Sequence, residues 1–418
     1  MKKLVLILSI TALLGISGCN GSSFSSATPA EPVLTEEELA AIRREEQLMH
    51  LLEEAQNLAL GYYYDEALKC LTNVPAEFAE DTEVISAIEE YTNAAGKFVP
   101  FEEPVRHIFF HSLIADTALA FDGDHMANGY NYWMTTIDEF KAMLNELYKN
   151  DFILIDIHDL CVEETDEEGN VILKANHPLV PEGKKPLVIS VDDVNYYDYM
   201  QKDGFARKLM IDKNGEVKNL YIDADGNELI GDYDVAPILD TFVKEHPDFS
   251  LRGAKGILAL TGYEGTLGYR TNDPESPTYE QDLKDAKATA ELLKENGWHF
   301  AVHGWGHRDA SKITLSHLQQ DTIRWKEEVG SLVGDTDIYI YPYGAEVDYP
   351  SDKLSFLESE GYRYFCGVWT KPFVSVKDTY VRQTRCNLDG YNMITRPGSL
   401  ADLFDVELVL DKTRPELE

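Results

Sequence analysis

Pro186-Leu187-Val188-Ile189-Ser190-Val191-Asp192-Asp193 is a short apolar run that ends in two adjacent acids. Its length and branched side chains predict a buried strand over 187–191 with carboxylates at its tip. Isolated carboxylates are costly to desolvate, so such a tip calls for a cation or for hydrogen-bond donors. Asp-Asp alone is also compatible with a solvated turn. The second stretch, Trp298-His299-Phe300-Ala301-Val302, reads as another buried strand that delivers His303, with Gly304 and Gly306 bending the chain before His307. This is not the helical zinc-protease motif, because the glycines oppose a helix and no Glu follows the first His. Together the two tips offer two imidazoles and one carboxylate to hold a divalent ion in an open shell. A second carboxylate is left to take a proton from water.

Outward from these tips, strands and helices alternate. Strands are expected at 105–111, 152–157, 187–191, 256–260, 298–302 and 338–341, and helices at 137–150, 235–246, 280–296 and 315–332. Strands followed by helices in series imply an α/β fold with a parallel sheet, and reactive residues at strand C-termini imply a barrel mouth. An insertion at about 205–233 carries strand runs separated by Asn214-Gly215 and Asp225-Gly226, which is a hairpin signal. Asp223-Ala224-Asp225-Gly226-Asn227 is faintly like a calcium loop, but its glycine is misplaced, and the hairpin reading is preferred.

At this point the sequence resembles the NodB-like polysaccharide deacetylases of carbohydrate esterase family 4, nearest their poly-N-acetylglucosamine branch. The family's Thr-Phe-Asp-Asp-Gly is similar to Ser190-Val191-Asp192-Asp193-Val194, and its His-(Ser/Thr)-x-x-His is similar to His303-Gly304-Trp305-Gly306-His307. Its Pro-Tyr-Gly segment has a counterpart in Tyr341-Pro342-Tyr343-Gly344. The resemblance covers about 105–398. It implies a distorted (β/α)7 barrel and a metal-dependent hydrolase that removes N-acetyl groups from a polysaccharide. Asp193, His303 and His307 would ligate the metal, with zinc favoured and Co, Ni or Mn also suited to the donor set.

By the same resemblance Asp192 is the general base, and the backbone near Tyr343 helps hold the oxyanion. The chain has no histidine after His317, so His111, at the end of the first strand, is the expected acid for the leaving amine. Val194 stands where the family has Gly, Ile340 where many members have an Arg, and His299 where a Glu is common. Arg385 or Arg382 would supply the missing positive charge, and Arg385 is also an expected substrate or oxyanion contact. Tyr196, Tyr197, Tyr199, Trp305 and Trp369 are aromatic residues suited to sugar faces, with Trp305 the expected substrate contact. The alternatives are a glycan-binding or scaffold lipoprotein that has lost turnover, or an O-acetyl esterase on the same residues.

The N-terminus predicts location. Lys2-Lys3, the apolar run Leu4 to Leu14 and Ile16-Ser17-Gly18-Cys19 form a lipoprotein signal peptide over 1–19, with lipidation at Cys19 and a flexible tether over 20–34. The apolar stretch is too short to span a membrane. The expected location is therefore the outer face of a bacterial cytoplasmic membrane. A formal charge of −37 argues against nucleic acid and against close approach to anionic lipid. Cys70, Cys161, Cys366 and Cys386 are too irregularly spaced for a metal knuckle and read as free thiols.

The segment 35–98 is expected to be helical, with helices over 35–58, 64–71 and 82–95. The first begins with a cap at Thr35 and carries Leu39, Ile42, Met49, Leu52 and Ala55 on one stripe. Part of this segment resembles one tetratricopeptide-type hairpin and would serve as a spacer or a protein-binding module.

Overall fold

The computed structural model describes residues 34–417. The predicted signal peptide, Cys19 and most of the tether lie outside them. The chain divides into two compact units, Met1–Met49 and His50–Glu418. The described part of the first opens the helix Glu36–Leu60. Thr35 caps it reciprocally: its Oγ1 accepts from the Glu38 N–H at 3.2 Å, and the Glu38 carboxylate accepts from the Thr35 N–H at 2.8 Å. Leu39, Ile42 and Met49 of the expected stripe are exposed.

In the second unit, Tyr64–Thr72 and Thr82–Ala95 are helices, close to the bounds expected at 64–71 and 82–95. Asp81 starts the latter helix by accepting from the Glu83 N–H.

Seven parallel strands then close into a barrel: β1 (Arg106–Phe110), β2 (Lys185–Val191), β3 (Ile257–Leu260), β4 (His299–Val302), β5 (Ile338–Ile340), β6 (Tyr364–Val368) and β7 (Val381–Asn387). Their order is β3-β4-β5-β6-β7-β1-β2, and the ring closes where Ser190 and Val191 of β2 meet Ile257 and Leu258 of β3. The strand expected at 152–157 is shorter, Phe152–Leu154, and pairs with the first half of β2, from Lys185 to Leu187. β2 therefore has one neighbour at its foot and another at its tip on the same side. This distorts the barrel and leaves it with seven staves, as expected from the resemblance.

Alternation along the staves separates two cores. Val188, Ala259, Ala301, Ile340, Cys366 and Val381 belong to one cluster, inside the barrel. Ile189, Leu258, Phe300, Tyr339 and Phe365 belong to the other, packed with helix residues such as Phe140, Leu144, Ala286, Leu293 and Leu318. By the same parity His299, Ala301 and His303 of one strand point inward, as do Ser190 and Asp192 of another.

The insertion is a three-stranded antiparallel sheet, Lys208–Ile211, Val217–Ile222 and Glu228–Gly231. Asp223 spends its carboxylate on the Asp225 and Asn227 N–H groups and on the Asn227 side chain, which fits a hairpin turn rather than a calcium loop. The helix expected over 315–332 is interrupted: Leu315–Trp325 passes through a π-turn at Lys326–Gly330 into Ser331–Val333. Cys70, Cys161, Cys366 and Cys386 are all free thiols. Among the described residues no helix is long and apolar enough to cross a membrane.

Candidate active site at the barrel mouth

Asp192 and Asp193 follow the last residue of β2, and His303 follows the last residue of β4. Both tips therefore open at the same end of the parallel barrel. The chain then turns sharply, with Gly304 at φ 66° and His307 at φ 48°, and this swings His307 back beside His303. Their ring centroids are 4.9 Å apart. Asp193, His303 and His307 each present a ligating atom within 4.8 Å of the others, so the expected metal-ligand set converges.

The donor set fits a divalent ion. His303 donates from Nδ1 to the Ile340 carbonyl at 2.9 Å, which fixes the tautomer and leaves Nε2 as the ligating atom. Tyr197 donates to Asp193 Oδ1 at 2.7 Å, and Asp193 Oδ2 lies 3.8 Å from His307 Nε2. Burial lowers the pKa of His307 despite the nearby Asp193 charge, so the ring stays neutral, as a ligand must. The site is graded in depth: the side chains of Asp192 and His303 are 4% and 2% exposed, those of Asp193 and His307 19% and 20%.

Asp192, whose Oδ2 lies 3.8 Å from His303 Nε2, is clamped from below by Arg385 of β7. The guanidinium donates to both carboxylate oxygens, at 2.6 and 3.0 Å, and also to Ser190 Oγ at 3.1 Å. Burial alone would raise the Asp192 pKa, but the charge and hydrogen bonds of Arg385, together with the nearby His303 and His111, outweigh it and hold the carboxyl well below the ordinary range. Arg385 was expected as a substrate or oxyanion contact or as the replacement for the missing family Arg. It takes the second role and, at 1% exposure, is sealed beneath Asp192. Arg382 instead pairs with Glu346 at 2.6 Å. Behind Arg385 the polar layer continues inside the barrel, where His107 bridges Ser190 Oγ and Gln383 Oε1, each at 2.9 Å. Sequence reading missed this layer.

His111 sits just past the end of β1, where a charge on its ring would act on both Asp192 and His307. Its buried Nδ1 has no hydrogen-bond partner among the described residues, which suits a group reserved for a polar substrate. Tyr343, at φ 59°, is 71% exposed and lies edge-on to His307 with centroids 4.5 Å apart. Asp193, at φ 59°, also adopts the left-handed backbone that favours glycine. Val194 does not, and it is buried in the outer core, so the substitution of the family Gly is accommodated without strain at that position.

Trp305 departs from its expected role. Its indole N–H donates to Glu328 at 2.7 Å, the Arg324 guanidinium lies 3.4 Å over its ring, and its edge fills the space a Cβ at Gly262 would need. It wedges the turn in place rather than offering a free face to a sugar. Its backbone N–H and that of Gly306 both donate to Asp321, which fixes the His-x-x-x-His turn. Exposed aromatic surface is found instead at Tyr199, stacked on Tyr197 with centroids 5.8 Å apart, and at Trp369, which is 62% exposed.

With this geometry in view, comparison with known proteins is informative. Residues 275–365 match the polysaccharide deacetylase family model. The matched stretch contains His303, His307 and the Tyr341–Gly344 segment, and it bears out the family resemblance over the part of the chain that carries the second and third motifs. The expectation of a hydrolase of the deacetylase class stands with it. A solved structure, the Streptococcus pyogenes deacetylase PplD in complex with acetate, aligns at 13% identity with a TM-score of 0.41, covering 73% of this chain and 99% of that one. No curated protein sequence matches the chain.

Proposed function

We propose that the chain is a metal-dependent deacetylase that hydrolyses N-acetyl groups of an N-acetylglucosamine-containing cell-surface polysaccharide. The observation that carries this reading is the division of labour at the mouth: Asp193, His303 and His307 converge, while Asp192 beside them is separately ionised and oriented by Arg385. A divalent ion bound by that set would polarise the acetyl carbonyl and acidify the attacking water, zinc being the best match to the donors.

Asp192 takes the water proton as the C–O bond forms. His111 gives a proton to the amide nitrogen as the C–N bond breaks, and the products are acetate and a free amine. Tyr343 borders the space beside His307 where the oxyanion develops, and Tyr199 and Trp369 offer sugar-facing surface. The leader sequence supports anchoring through Cys19 on the outer face of the cytoplasmic membrane, and the helical segment before the barrel suits a spacer or protein contact.

The test is release of acetate from β-1,4- and β-1,6-linked N-acetylglucosamine oligomers. Expected results are turnover that disappears on chelation, returns with zinc, and is lost in Asp192→Asn. Bound metal and sugar affinity with no acetate from any N- or O-acetylated glycan would identify a binding protein. Acetate from O-acetylated glycans alone would identify an esterase.

A further inference from the structure

The opposite end of the barrel holds a second cluster of metal-type donors. Asp156 and His158 lie just beyond the strand Phe152–Leu154, His299 is the first residue of β4, and Asp337 precedes β5. Asp156 Oδ1 is 2.6 Å from His158 Nδ1, and Asp156 Oδ2 is 2.7 Å from His299 Nε2. The two imidazole rings meet edge-on at 5.0 Å. His299 and His303 occupy the two ends of one strand, about 13 Å apart at ~3.3 Å rise per residue. One stave therefore carries an inward histidine at each mouth.

We infer that Asp156, His158 and His299 form a second divalent-cation site, with Asp337 as the carboxylate that orients His158. The inference is independent of the reading of the catalytic mouth. Three donors from two distant parts of the chain present ligating atoms within 4.8 Å of one another, the same one-carboxylate, two-imidazole set found at the mouth. The second nitrogen of His158 is 3.1 Å from Asp337 Oδ1. A histidine whose far nitrogen donates to a carboxylate is the arrangement that fixes tautomer and ring plane in metal sites.

The site is reachable. The side chains of Asp156, His158, Asp337 and His299 are 35–37% exposed, and the cluster lies between a cavity of about 650 Å³ lined by His158, His299 and Asp337 and one of about 840 Å³ lined by Asp156 and His299. Donor atoms in a tetrahedral zinc shell sit about 3.3–3.5 Å from one another. The present contacts must therefore open by roughly 0.7 Å, with the ion replacing the shared protons. Nitrogen and carboxylate donors in an open three-ligand set suit zinc, or cobalt as its spectroscopic substitute.

The test counts ions with the catalytic mouth disabled, so its outcome does not depend on whether that mouth binds metal or cleaves acetyl groups. Full-length Asp193→Asn/His307→Gln protein is equilibrated with zinc, dialysed and analysed for metal. The expected result is one ion per chain, a zinc-dependent rise in Tm, and loss of both when His299→Gln is added. A cobalt-loaded sample should show the visible absorption of a four-coordinate ion. If the double variant retains no ion, the cluster is held by protons only and the inference is overturned. It is equally overturned if the ion persists after His299→Gln. Should the triple variant fail to fold, the metal count and cobalt spectrum of the double variant decide.

Discussion

The two ends of this barrel carry the same three side-chain types in different states of readiness. At the catalytic mouth the His307–Asp193 contact is 3.8 Å, open enough for an ion, whereas at the foot the Asp156 contacts have closed to 2.6 and 2.7 Å. The foot's second carboxylate, Asp337, meets His158, whereas the mouth's, Asp192, is clamped by Arg385, and beside it His111 has a buried nitrogen with no hydrogen-bond partner among the described residues. An Asp-His-His set is therefore not in itself a catalytic site. Hydrolysis requires the extra acid, ionised and pointed, that the ligands leave free.

The sharpest contrast is between Asp192→Asn and His299→Gln. The first is expected to lower kcat by about 10²–10⁴-fold, the usual worth of a positioned general base. The second, at the far end of the barrel, should leave kcat within a few-fold while altering metal content or thermal stability. Equal loss of turnover in both variants would erase the distinction between the ends.

Next in size is Arg385→Met, which leaves Asp192 buried without its cation and should cost about 3–5 kcal/mol in chemical denaturation. Arg382→Met, on the same strand but half-exposed with Glu346, should cost no more than about 1 kcal/mol. The pH dependence follows from the depressed Asp192 pKa. A carboxyl lowered in the folded state contributes stability above the unfolded value of about 4, and that contribution is lost only as pH falls toward strong acid. In Arg385→Met the acid limb of the kcat/KM profile should therefore move to higher pH, because burial is then opposed only by the neighbouring His303 and His111. An unmoved limb would show that Arg385 does not set the state of the base.

A smaller effect is expected for Tyr197→Phe, which removes the 2.7 Å hydrogen bond to Asp193. Loss of a partner behind a metal ligand typically weakens binding about 10–100-fold, measurable by competition with a chelator. No change in affinity would mean that Asp193 is held without Tyr197.

Much of this was legible in the sequence because it is local. Strand tips, helix caps and Asn-Gly or Asp-Gly turns are set by neighbours within a few residues, and the positions of Asp192, Asp193, His303 and His307 at strand ends followed from them. Pairings across the barrel were not. Arg385 could be named only as one of two arginines, since the choice depends on which way β7 faces: the same alternation points Arg385 inward at the mouth and puts Gln383 and His107 in the layer below. Asp156-Ile157-His158 has no distinguishing spacing, and its meeting with His299 exists only once the strand Phe152–Leu154 is placed against the foot of β2. Trp305 was misread for a related reason. An aromatic between two metal-binding histidines invites a sugar, but Arg324, Glu328 and Gly262 come from elsewhere to enclose it.

The most direct trial of the account is the metal content of Asp192→Asn measured alongside its acetate release. The side chains assigned to the ion are all intact in this variant, so it should keep the wild-type complement of zinc while losing turnover. Loss of an ion together with activity would make Asp192 a ligand, and wild-type turnover without its carboxylate would remove it as the base.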